Sequence, residues 1–252
     1  MELAKFDEVA KNYELGEFIE KFNRNPSNLF TIAAICGTVS LFPLLVPGQG
    51  AFVWGLFAAL LLVSWGIYSM RQTKLVLYQE GFLRLNKKSK LEVIFYREIN
   101  LIWQNCTNHN TIILPLFIPI PTGEDSIFTI KTENGLVIKL DNKILNIRKI
   151  GEYLQKQVWY RKMPKAISTY NSGHDLIFGD LVISRKGISN YKKDVLPWSE
   201  LASVKVENGV LIVNRVTQKA GQQAAWSRIS ISRIANIYIF LSLIDQIHNR
   251  ES

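Results

Sequence analysis

Three regimes of hydrophobic patterning follow one another along the 252 residues. In the N-terminal segment, residues 1–28, Leu3, Phe6, Val9, Ala10 and Tyr13 recur at helical spacing. That spacing predicts a short amphipathic helix whose acidic polar face suits packing on a partner or on the chain's own domains. Two unbroken apolar runs come next, Leu29 to Val46 and Ala51 to Met70, separated by Pro47-Gly48-Gln49-Gly50. From Lys74 onward the period changes to alternation, with turn signals every six to ten residues. The alternation predicts strands over 74–79, 82–86, 91–96, 99–105, 127–132 and 136–140. The last two are joined by Glu133-Asn134-Gly135, a hairpin signal. Ile144, Ile147, Ile150, Leu154 and Val158 then form one stripe of a helix over 144–160.

The two apolar runs predict a membrane anchor. At about 1.5 Å per residue they reach roughly 27 and 30 Å, the thickness of a bilayer core, and the Pro/Gly turn leaves room for a tight helical hairpin. The 42 residues from Leu29 to Met70 contain no Asp, Glu, Lys or Arg. The turn is uncharged, whereas Lys11, Lys21 and Arg24 precede the first run and Arg71, Lys74, Arg84, Lys87 and Lys88 follow the second. The positive-inside rule therefore predicts a two-pass membrane protein with both termini cytoplasmic. A re-entrant hairpin kinked at Pro43 and a buried core hairpin are the alternatives. A run that begins at position 29 behind an acidic segment does not read as a signal peptide.

The part after the anchor repeats itself. LVLYQEG at 75–81 matches LVISRKG at 181–187, Tyr96-Arg97-Glu98-Ile99 matches Trp198-Ser199-Glu200-Leu201, and ILNIRKIGEYL from Ile144 matches IANIYIFLSLI from Ile234. Strands over 204–207 and 210–214 flank Glu207-Asn208-Gly209, and Trp226 to Ser232 supplies a last strand. Several short strands followed by one helix, twice over, predict an α+β chain. In it the hairpin precedes two small barrels or sandwiches, each closed by a C-terminal helix. The expected divisions are 1–28, 29–70, 71–162 and 163–252, and the short segment Trp159 to Pro164 predicts that the two domains touch.

Charge sharpens this picture modestly. The chain holds 30 Lys and Arg against 21 Asp and Glu. The excess lies C-terminal to the apolar block: residues 1–28 carry a net −2, residues 71–160 carry +5 and residues 161–252 carry +6. Such a spread suits an anionic surface better than nucleic acid. Cys36 and Cys106 are far apart, and no Cys/His cluster has zinc spacing. His109, His174 and His248 lie in separate segments without acid partners, and no phosphate-cradling glycine motif is present. Glu98 and Glu200 match in the repeat as turn residues. The chain therefore reads as non-enzymatic, with no catalytic residue, metal or cofactor.

The hairpin glycines Gly81 and Gly187, the aromatic-x-Glu-aliphatic step and the closing helix resemble pleckstrin-homology-like (PH-like) domains. A transmembrane hairpin followed by two such units is similar to membrane-anchored bacterial PH-like families of uncharacterised function. In that comparison Ala166 to Tyr170 serves as the first strand of the second unit. Glu17 to Asn23 can serve the first unit, with the hairpin then inserted inside it. The resemblance implies an anionic-lipid site on the basic loops, at Arg84, Lys87, Lys88, Lys90, Lys192 and Lys193, where each cation near an anionic leaflet contributes about 1 kcal/mol. It also implies peptide grooves beside the closing helices, which Tyr153 or Tyr238 would line. Ile112 to Pro121, IILPLFIPIP, reads as an edge strand or extended loop, because Pro115, Pro119 and Pro121 cannot donate to a central ladder. Leu116, Phe117 and Ile118 within it are candidates for hydrophobic contact. The expected partners are the lipid bilayer, anionic headgroups, and a protein partner or a second copy. The expected function is an adaptor at the cytoplasmic membrane face, with lipid recognition or lipid handling as the alternative.

Overall fold

The computed structural model describes residues 3–41, 50–86, 90–113, 118–190, 193–217 and 223–251. The chain divides into two compact units, one formed by Met1–Phe95 with Asn142–Asn146 and the other by Tyr96–Asp141 with Ile147–Ser252.

In the first unit, helix α1 (Leu3–Asn12) precedes strand β1 (Phe18–Asn23), then helices α2 (Ser27–Leu41) and α3 (Gly50–Met70), and then β2 (Thr73–Tyr78), β3 (Gly81–Leu85) and β4 (Leu91–Phe95). The strands form one antiparallel sheet in the order β1-β2-β3-β4. The helix predicted from the first 13 residues is present: Phe6 and Ala10 are buried on Leu15, Val76, Tyr78 and Leu83. β1 pairs with β2 although α2 and α3 lie between them in sequence, so the helical pair is an insertion between neighbouring strands. The register is closed further by Asn25 N–H to the Lys143 carbonyl (2.8 Å) and Leu145 N–H to the Asn23 carbonyl (2.9 Å). α2 and α3 pack through small residues. A Cβ on Gly66 would lie 2.6 Å from the Phe30 ring.

The predicted membrane hairpin is not supported. Among the described residues no helix is long and apolar enough to cross a membrane. α2 ends after 15 residues, about 22 Å against a hydrocarbon core of about 30 Å. Residues 42–49, which hold the end of the first apolar run and the turn up to Gln49, lie outside the described residues. The transmembrane assignment and the two-pass membrane localisation with cytoplasmic termini are corrected accordingly.

The second unit contains three sheets and two helices. β5 (Ile99–Ile113), β6 (Ile118–Thr132) and β7 (Val137–Leu140) form the first sheet, followed by α4 (Ile147–Asn171). β8 (Leu176–Phe178), β9 (Leu181–Ser184), β10 (Gly187–Asn190) and β11 (Lys193–Pro197) form the next. β12 (Leu201–Glu207), β13 (Val210–Val216) and β14 (Gln223–Ser230) form the last, followed by α5 (Ile237–Glu251). Across the chain the described strands thus form four separate small antiparallel sheets, in place of the two barrels or sandwiches behind a transmembrane hairpin that the sequence predicted.

The repeat is visible in chain order. Four strands, a 3₁₀ turn with a buried aromatic (Tyr96 or Trp198), three strands and a helix occur twice. Smaller features recur as well. The register of β5 slips between Ile99 and Leu101, and that of β12 slips between Leu201 and Ser203. Asn146 and Asn236, each immediately before a closing helix, both take positive φ (58° and 51°), a conformation asparagine tolerates better than most residues.

Two local expectations change. α4 runs through Pro164 to Asn171, where the sequence suggested a linker and then a strand over 166–170. Burial of Met163 and Ala166, with the Lys162 ammonium 3.2 Å from Asn100 Oδ1 and 3.6 Å from Glu133, offsets the one hydrogen bond that Pro164 removes. Pro119 and Pro121 lie in β6, the middle strand of its sheet, but β7 pairs only with 128–131. At the prolines β6 therefore has a single neighbour, which is where a missing N–H is tolerated.

Candidate functional site

The feature best shaped to hold a ligand is a groove between β12 and α5. β12 is an edge strand of its sheet. Leu201, Ala202, Ser203 and Val204 form one wall and Leu241, Ile244 and Asp245 the other, around a cleft of about 340 Å³. Leu201 and Ile244 are buried, Val204 is half-buried and Asp245 is exposed, so the groove has an apolar floor with one carboxylate at its rim. The helix is fixed by Phe240, Leu243, Ile244 and Ile247, all buried, with the Phe240 ring edge-on to Phe178 at 5.4 Å.

Its counterpart in the first repeat lies between β5 and α4 and is filled. The repeat alignment sets Ile102 against Val204, Gly151 against Leu241, Leu154 against Ile244 and Gln155 against Asp245. Here the chain's own segment before α5 lies along the strand: Asn236 N–H donates to the Ile102 carbonyl (2.8 Å) and Ile102 N–H donates to Asn236 Oδ1 (3.0 Å). Asn236 Nδ2 also donates to the Asn100 carbonyl (3.1 Å), and Ala235 bridges Trp103. The crevice left among Ile102, Gln155, Val158, Asn236, Tyr238 and Ile239 has no room for a water molecule. Ile102 stands opposite Ile130 and Val204 opposite Val213, one step past the same register slip. The outward N–H and C=O that Ile102 spends on Asn236 therefore correspond to those of Val204, which line the open groove.

Two further clefts carry polar groups without a catalytic arrangement. One, of about 340 Å³ in the first unit, is lined by Asp7, Ala10, Lys11, Glu14, Gly16, Phe18 and Tyr78. There the Tyr78 hydroxyl donates to Asp7 Oδ1 (2.9 Å), and burial together with that carboxylate pushes the phenol far above its ordinary value. The other, of about 520 Å³, places Arg215 with Asp194, Glu200 and Trp226. Neither pairs a nucleophile with a base. Among the described residues no group of three or more His, Cys, Asp or Glu could hold a metal ion.

The sequence-predicted contacts scatter. Arg84 is engaged by Glu92 across β3 and β4 at 2.6 Å, and Asn86 Nδ2 donates to the other oxygen of Glu92 at 2.9 Å. Burial pushes the Glu92 carboxyl up, but these hydrogen bonds and the Arg84 charge outweigh it and hold the group below its usual value. Lys90 is exposed and its N–H donates to Asn86 Oδ1 (3.0 Å). Lys87, Lys88, Lys192, Leu116 and Phe117 lie outside the described residues, while Lys193 begins β11 and Ile118 begins β6. Tyr153 packs edge-on to Tyr96 at 5.9 Å and Tyr238 lines the filled crevice, so neither reaches the open groove. The open groove itself was not anticipated at these residues. The repeat alignment carried its signal, a glycine replaced by Leu241 and a glutamine by Asp245 on a helix of otherwise matching pattern.

α2 and α3 also present Ile32, Ile35, Phe57, Leu60, Leu61 and Trp65 exposed. A family model described as "Family of unknown function (DUF6585)" matches residues 2–252. Neither a curated protein nor a solved structure matches the chain.

Proposed function

Because the chain belongs to this family of unknown function, it inherits no activity, and we propose from its own geometry that it is a non-enzymatic binding protein that captures extended protein segments. The single observation that carries this is the pair of equivalent grooves, one holding a segment of this chain along its edge strand and one open. An edge strand beside an apolar helix wall binds by main-chain hydrogen bonds, and its side pockets select residues. The resemblance to PH-like domains supports the same reading, because such folds take peptides beside the closing helix. Anionic headgroups are less favoured as ligand, since Arg84, one of the cations nominated for them, is committed to Glu92.

The test uses a fluorescent peptide with the sequence of residues 233–240, RIANIYIF, which fills the first groove. Polarisation should show saturable binding to the full chain. Val204→Pro, which removes the outward N–H and leaves the bonds to β13 in place, should weaken it at least ten-fold. Binding that is absent, or indifferent to Val204→Pro, refutes the proposal.

A further inference from the structure

We infer that the open groove reads a primary carboxamide: its occupant is an extended segment of another protein that sets an asparagine, in left-handed backbone, against the bulge of β12 at Ala202 and Val204. This rests on the proposed capture of extended segments and names the feature by which a segment is chosen.

The occupied groove shows what such a bulge holds. Where the register of β5 slips between Ile99 and Leu101, the extra residue is Asn100, whose carbonyl is left out of the ladder, and Ile102 two positions on presents both of its main-chain groups. Asn236 answers all three. Its N–H donates to the Ile102 carbonyl (2.8 Å), its Oδ1 accepts from Ile102 N–H (3.0 Å) and its Nδ2 donates to the Asn100 carbonyl (3.1 Å). A side chain that accepts from one group while donating to the next must carry both functions, as a primary carboxamide does, whereas an ionised carboxylate has no donor and would set a second acceptor against the carbonyl. The φ of 51° is a further filter, because asparagine adopts left-handed backbone more readily than most residues with a Cβ.

The open groove offers the same groups. β12 slips between Leu201 and Ser203, which makes Ala202 the extra residue and places Val204 opposite Val213, as Ile102 stands opposite Ile130. Ala202 and Val204 both line the cleft and are half-buried, and no described residue outside their own sheet hydrogen-bonds to their main chain. The buried floor of Leu201 and Ile244 suits aliphatic residues such as Ile234 and Ile237, which flank Asn236 and are themselves buried. The chain has no such segment left to supply. Ile-x-Asn-Ile occurs twice in its sequence, ending at Ile147 and Ile237. Asn236 is committed to β5, and the segment leading to Asn146 is held by β1, with Asn25 N–H on the Lys143 carbonyl (2.8 Å) and Leu145 N–H on the Asn23 carbonyl (2.9 Å). The occupant therefore comes from a different protein.

The test leaves the full chain unaltered and varies the ligand. Fluorescent RIANIYIF is compared by polarisation with the same peptide carrying Asn236→Ala or Asn236→Asp. Loss of two hydrogen bonds should weaken the alanine peptide about thirty-fold, and the aspartate peptide should bind no better than the alanine one. With Val204→Pro in the chain one of those two bonds is already gone, so the penalty of Asn236→Ala in the peptide should shrink to about five-fold. If RIANIYIF binds and Val204→Pro weakens it, but the alanine and aspartate peptides bind within about two-fold of it, the carboxamide reading is overturned and segment capture stands. Binding by none of the peptides removes both. If RIANIYIF dissociates a dimer of the full chain in sedimentation equilibrium, the groove belongs to a second copy and the proposal falls.

Discussion

Asn236 joins the end of the chain to a strand 134 residues earlier, and two substitutions at this one position separate what its side chain does from what its backbone does. Glycine keeps the positive φ and loses the two side-chain hydrogen bonds, to Ile102 N–H at 3.0 Å and the Asn100 carbonyl at 3.1 Å. At about 1 kcal/mol each, Asn236→Gly costs about 2 kcal/mol. Alanine loses the same bonds and must also hold φ near 51°, which adds about 1 to 2 kcal/mol for a residue with a Cβ. The main-chain bond from Asn236 N–H to the Ile102 carbonyl, 2.8 Å, survives in both. In a chain of this size each kcal/mol moves the melting temperature by about 2 to 4 °C, so glycine should lower it by about 4 to 8 °C and alanine by about 6 to 16 °C. Differential scanning calorimetry of the full chain reads both. Wild-type melting in both variants, or glycine melting below alanine, would refute the role assigned to this residue.

Local packing and charge give two further expected outcomes. A Cβ on Gly151 would lie 1.9 Å from the buried Phe128 ring. Overpacking of about 1 to 3 kcal/mol should therefore outweigh the helix preference of about 1 kcal/mol, and Gly151→Ala should lower the urea midpoint while Phe128→Leu in the same chain recovers part of the loss. Glu92 has its carboxyl held below the ordinary 4.5, so its contribution is complete above that value and fades as pH falls through the lowered one. Urea midpoints measured from pH 7 down to pH 3 should show a shallower acid decline for Glu92→Gln than for wild type, and parallel curves would refute the assignment.

Much of the local structure was legible in the chain. The helical spacing of Phe6 and Ala10, the alternation after Lys74 and the Asn-Gly hairpins are short-range patterns, and a short-range pattern acts through neighbours a few residues away. Asn208 and Gly209, with φ of 49° and 74°, take up the tight-turn conformation that their residue types favour. The repeat was legible too, because it is written twice. The long apolar block was visible as an absence of charge, but its composition does not state how much of it forms one continuous helix. Nor does a Lys-rich loop reveal that Glu92 on the facing strand already holds Arg84. Trp159 to Pro164 read as a short interdomain segment because a proline's cost is local, whereas what carries α4 past Pro164 is burial of Met163 and Ala166.

The candidate site divides along the same line. By itself the sequence determined that two strand-and-helix units share one plan, that each closing helix follows an asparagine, and that Gln155 in one becomes Asp245 in the other. Only the tertiary structure decided that one groove is filled and the other open. Ile102 and Val204 occupy the same step of the same pattern, and what distinguishes them is contact with Asn236, a residue remote in sequence from both. Periodicity records which face of an element is apolar, while the identity of what covers that face is settled by chain elements that meet only once the fold has closed.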